Sequence, residues 1–71
     1  MDMVPMRSSK ALEAAGYDSG SRTLRVQFRK GRLYDYHDVP PQVYQGLTTD
    51  AHPWTRWGKH IKSNYRCTPI E

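Results

Sequence analysis

Cysteine is almost missing from this chain: among 71 residues there is one, Cys67. A lone thiol has no intrachain partner, which excludes the disulfide scaffold that steadies many small secreted domains and agrees with a reducing compartment. His37, His52, His60 and Cys67 are separated by 15, 8 and 7 positions, so no short pair of metal ligands exists. Long apolar runs are missing too. Nothing approaches the roughly 20 residues of a membrane span, and the segment Met1-Asp2-Met3-Val4-Pro5-Met6-Arg7 lacks the basic start and apolar core of a secretory leader. No repeat, low-complexity stretch or linker divides the chain. The expectation is one cytoplasmic domain over residues 1–71, not attached to a membrane, with residues 1–7 loosely held.

Catalytic signatures are also wanting. Ser8 and Ser9 have no nucleophile-elbow glycines around them, and no glycine-rich loop is built to cradle a phosphate. Asp35 and Asp38 flank His37, but an ion pair for the first and a helix cap for the second account for both. The sequence therefore points to a non-enzymatic protein with no cofactor and no metal.

What the chain does have is rings and positive charge. Hydrophobic content is 37%, mean hydropathy is −0.87, and the aromatic residues are two Trp, five Tyr and one Phe. A chain of this length buries only about 60% of its unfolded surface, so rings must supply much of the core. The net charge of +4 is unevenly spread. Arg22, Arg25, Arg29, Lys30 and Arg32 follow one another with no acid between, and so do Arg56, Lys59, Lys62 and Arg66. Acid-free basic segments suit a polyanion or an anionic partner surface, and they also serve solubility.

Thr23-Leu24-Arg25-Val26-Gln27-Phe28-Arg29 alternates strictly, the period of a half-buried strand, and Leu33-Tyr34-Asp35-Tyr36-His37 is its return. A two-residue turn on Lys30-Gly31 would force lysine to positive φ and set Val26 against Asp35. A three-residue loop, Arg29-Lys30-Gly31, places only Gly31 in the left-handed region, where glycine is at no cost. It pairs Val26 with Tyr34, Leu24 with Tyr36 and Arg25 with Asp35, so Tyr34 and Tyr36 belong to the buried face. Upstream, Lys10–Tyr17 reads either as helix, from its Ala, Leu and Glu, or as a strand pairing with the next one along the chain. Asp18-Ser19-Gly20-Ser21 is a turn. Downstream, Asp38 is a candidate cap for a helix carrying Val39, Val43, Tyr44 and Leu47, which frays or ends at Gly46 and Thr48-Thr49. Pro53 opens a second helix with Trp54, Trp57, Ile61 and Tyr65 on one side and Arg56, Lys59, His60 and Arg66 on the other, Lys62 at the border. The fold class expected is α+β: a small antiparallel sheet, hairpin at its centre, one face covered by one or two C-terminal helices.

The series Ser8-Ser9, Gly16-Tyr17-Asp18, Thr23-Leu24-x-Val26-x-Phe28, Gly31, Tyr34-x-Tyr36, Val39-Pro40, Val43-Tyr44, Leu47, Ile61 and Tyr65 resembles the KTSC domain. That family is named for the C-terminal extension of some lysyl-tRNA synthetases and also occurs as small free-standing proteins. The resemblance implies the fold and a leaning toward RNA, with no catalytic residues to carry over. Where the family has a small-residue segment of the type A-x-S-x-G-x-[YF]-[FW]-N, this chain departs from it with Ala51-His52-Pro53-Trp54-Thr55-Arg56-Trp57-Gly58.

Binding is thus the favoured class of function. The candidate nucleic-acid contacts are Arg29, Lys30 and Arg32 at the hairpin tip and Arg56, Lys59, Lys62 and Arg66 on the last helix, for RNA or DNA. Trp54, Tyr34 and Tyr36 are candidate stacking rings, with core packing as their other use. The alternative is a protein–protein module in which Tyr44, Trp54 and neighbouring Arg form an anchor patch. The oligomeric expectation is a monomer or weak homodimer, through an open sheet edge or face.

Overall fold

A computed structural model of the chain describes residues 2–7 and 9–70; Ser8 of the Ser8-Ser9 pair lies outside them. Five strands, β1 (Met3–Pro5), β2 (Leu12–Asp18), β3 (Thr23–Phe28), β4 (Leu33–Tyr36) and β5 (Cys67–Pro69), form one antiparallel sheet in sequence order. Helices α1 (Pro41–Thr49) and α2 (Pro53–Asn64) intervene between β4 and β5. This is the α+β architecture expected, enlarged by an edge strand on each side.

The hairpin has the register read from its side chains. Val26 stands opposite Tyr34, Leu24 opposite Tyr36 and Arg25 opposite Asp35. Gly31 alone in the loop has positive φ, +99°, and the loop is closed by Phe28 N–H donating to Arg32 O at 2.8 Å and Gly31 N–H to Phe28 O at 2.8 Å. On the sheet face away from the helices, Arg25 grips Asp35 through Nε at 2.7 Å and Nη2 at 2.9 Å. Two parallel charge-assisted bonds fix orientation as well as register.

The segment with two readings is strand. A bulge between Leu12 and Ala14 adds one residue, so Leu12 pairs with Phe28 and Ala15 with Val26 on the same core-facing side. Both are fully buried. The bulge thereby turns a strand's spacing of two into a spacing of three, which in a bare sequence looks helical. Ser9 is buried and its Oγ accepts N–H bonds from Ala11 and Leu12 at 3.2 and 2.9 Å, shaping the entry to β2.

Within the segment 1–7, Met3–Pro5 pair with β2, and Met6 is buried. Two other expectations need correction. Asp38 caps no helix. It is exposed, with φ of +57°, and the capping position belongs to Pro40, which has no side-chain bond. The reason is that Val39 is pinned into the core, its N–H donating to Arg22 O at 2.9 Å and its carbonyl accepting the Tyr17 hydroxyl, so the chain must turn sharply before it. Nor does Gly46 end α1. The Trp57 indole lies against it so closely that a Cβ there would stand 2.2 Å from Cζ2, and this contact joins the two helices.

The core lies between sheet and helices: Leu12, Ala15, Leu24 and Val26 from β2 and β3, Tyr36 from β4, Val39, and Val43, Leu47 and Ile61 from the helices, with Met6 at one side. Both edge strands are short and both hold a proline. Met6 N–H donates inward to Glu13 O at 2.9 Å and Ile70 N–H to Leu33 O at 2.8 Å. Donors alternate sides along a strand, so the nitrogens of Pro5 and Pro69 face the open edges.

Candidate functional site

The core-facing stripe of β3 and β4 is not covered evenly. At one end Leu24 and Val26 are fully buried. Toward the hairpin tip α2 meets the sheet through Trp54, whose ring packs edge-on against Phe28 with centroids 5.3 Å apart and lies tilted over Tyr36 at 6.4 Å. Phe28 also meets Tyr34 edge-on at 5.6 Å. A cleft of about 480 Å³ opens here, walled by Phe28, Tyr34, Tyr36 and Ala11. Lys10, Arg29, Lys30, Arg32 and Lys62 complete its lining, so three separate parts of the chain bring five cations to it. No carboxylate among the described residues lines it. An apolar wall under charges of one sign focuses the potential on whatever enters.

The candidate residues divide. Lys30 and Arg32 stand exposed at the tip, and Lys62 reaches the same cleft from α2. Lys62 Nζ also lies 5.6 Å from the Trp54 ring centroid, a cation–π contact that holds the charge beside the opening. Lys62 is the junction of two depressions, since it lines a second one along α2 together with Lys59 and Trp54. Arg29 has a different duty. Its Nε donates to Ser9 O at 3.1 Å, and its Nη2 to Ser9 O at 2.8 Å and Met6 O at 3.3 Å. It lines the cleft while clamping the segment that carries Lys10 and Ala11.

Arg56 and Arg66 are elsewhere. Arg56 faces Asp50, Nε to Oδ2 at 3.3 Å, with most of its side chain exposed. Arg66 is not on the polar face of α2, because the helix stops at Asn64 and Tyr65 turns extended to start β5. Arg66 instead sits beside His37, Cys67 and Thr68, where His37 Nε2 is 2.7 Å from Thr68 Oγ1.

The rings also separate. Tyr34 is half-buried and offers surface to the cleft, whereas Tyr36 is 3% exposed and serves as floor. Burial, with smaller contributions from Cys67 and Tyr34, pushes the Tyr36 hydroxyl above the ordinary tyrosine range. Tyr44 stacks on Tyr17 with centroids 5.3 Å apart, so Tyr44 and Trp54 each pack against a different part of the sheet. Three lining residues were not among the sequence-predicted site residues: Lys10, Ala11 and Phe28. Phe28 ends the alternating stripe and was legible as core. Lys10 had no local signal: the Leu12–Phe28 pairing, the Arg29 clamp and the Arg29 N–H bond to Ala11 O at 3.0 Å bring its loop to the tip.

Among the described residues no three His, Cys, Asp or Glu side chains come together as a metal site, and no helix is long and apolar enough to cross a membrane. A family model for the KTSC domain matches residues 8–65, most of the chain. The chain belongs to the KTSC domain family. Its fold also matches the crystal structure of a KTSC domain protein from Yersinia pestis, with a TM-score of 0.89, 28% identity, and coverage of 99% of this chain and 97% of that one. A protein of Tsukamurella paurometabola is 47% identical over 45 residues, 63% of this chain and 66% of its own length. A protein of Stutzerimonas stutzeri is 45% identical over 47 residues, 66% of this chain and 65% of its own. The KTSC chain described here thus aligns with just under two thirds of those relatives.

Proposed function

We propose that this KTSC domain is a non-enzymatic module that binds single-stranded nucleic acid, RNA or DNA. The observation that carries the reading is the cleft, where five cations and three rings converge and no carboxylate lines the wall. Proteins that hold single strands combine a cationic groove for the backbone with rings for the bases.

On this reading the exposed cations set how many charges engage. All of these cations are exposed, but Arg29 already donates to backbone carbonyls and Arg56 faces Asp50, which leaves Lys10, Lys30, Arg32 and Lys62 as the cleft's other cations. About four phosphate contacts at about 0.7 each give a log affinity against log salt slope near −3 for a single strand. Labelled single-stranded and duplex RNA and DNA, titrated at two salt concentrations, test this. Lys30→Ala, Arg32→Ala and Lys62→Ala should each shallow the slope by about 0.7, and Arg66→Ala should leave it unchanged. Failure of all four probes to bind at low salt overturns the reading.

A further inference from the structure

We infer that the cleft is a pocket for one unpaired nucleotide, its base against Tyr34 and its phosphate among Lys62, Lys10 and Arg32. This rests on the nucleic-acid reading and narrows it to a unit of ligand. Three observations lead there. The first is size: about 480 Å³ falls within the range of about 300–1,000 Å³ typical of sites that enclose small ligands. The second is ring geometry. Tyr17 is already stacked by Tyr44 at an interplanar angle of 17°, but Tyr34 meets its neighbour Phe28 at 79°. Tyr34 is therefore half-buried with no ring stacked on its face among the described residues. The third is charge complementarity. Cations from the loop before β2, the hairpin tip and α2 line the same cleft as that ring, a combination suited to an anionic group attached to a planar one. A paired, stacked base cannot present its face to such a pocket, so an unpaired one is required.

Competition on the intact chain tests it. A nucleoside monophosphate, the uncharged nucleoside and inorganic phosphate are each titrated against a labelled single-stranded oligonucleotide, with Trp54 and Trp57 fluorescence as a direct second readout. The monophosphate should displace the oligonucleotide, and nucleoside or phosphate alone should bind at least about tenfold more weakly, in line with the contribution of one stacked base. Tyr34→Leu should weaken the monophosphate and leave phosphate unchanged, and Lys62→Ala should weaken both; circular dichroism of each variant checks that it folds. Phosphate binding as tightly as the monophosphate overturns the pocket. Oligonucleotide binding that the monophosphate does not displace also overturns it, while the nucleic-acid reading stands. Binding of the monophosphate without any oligonucleotide upholds the occupant and overturns the broader reading.

Discussion

The two ends of one sheet face make an instructive pair. At the Leu24 end, Tyr36 lies across the strand and the helices close over both, leaving Leu24 unexposed. At the Phe28 end the same alternation continues, yet Phe28 and Tyr34 stay half-buried and a cleft remains. The side chains at the second end are larger and no less apolar, so hydrophobicity does not explain the difference. The cover differs: Val43, Leu47 and Ile61 of the helices share the buried core with Leu24, whereas at the other end Trp54 packs edge-on against Phe28 beside the cleft. Burial depends on which backbone lies above a residue, and a site arises where an apolar stripe outruns its cover.

The largest effect that could break this comparison is in stability. Leu24→Ala should cost about 2–5 kcal/mol, as for other buried leucines. That is a large share of the roughly 4–10 kcal/mol expected for a domain of this length. Tyr34→Ala, at the open end, should cost less, about 1–2 kcal/mol, since part of its surface is already in water. Urea unfolding of both variants decides, and equal costs would mean that the two ends are packed alike. Next is Gly46→Ala, which would place a methyl group against Trp57 and should destabilise by about 1–3 kcal/mol through overpacking, despite alanine's better helix propensity. A rise in melting temperature would show that the helix pair can slide. The smallest effect is with pH. The hydroxyls of Tyr36 and Tyr44 are pushed up by burial, so the folded chain holds these protons more tightly than the unfolded one. That stability is full below the unfolded value of about 10 and is lost as pH rises through the raised folded values. An alkaline titration followed by tyrosinate absorbance and circular dichroism should show unfolding that Tyr36→Phe lessens.

How far the sequence could be read has the same physical basis. The central hairpin was legible to the residue because alternation, a glycine at the one left-handed position and the Arg25–Asp35 pair all agree. Both helices were legible from their opening prolines and apolar spacing. Strands β1 and β5 were not, since three exposed or half-buried residues carry no period. β2 was obscured by its bulge. Of the site, the tip and Lys62 were legible as charge, but not that they share a cleft. The clamp that removes Arg29 from the free cations depends on backbone carbonyls 20 and 23 positions away, which no local pattern encodes.

The outward-facing nitrogens of Pro5 and Pro69 bear on how this molecule lives among copies of itself. A sheet recruits a further strand through donors along its margin, and here each margin is three residues long and lacks one of them. Short, proline-marked margins are a known safeguard against fibre-like growth. A small chain with an open sheet face and half-covered rings has particular need of it. Each margin offers a further strand one donor fewer, and the apolar opening is lined by like charges that would face the same charges on a neighbour. The same cations that would draw in a phosphate thus set like charge against like where two such openings meet.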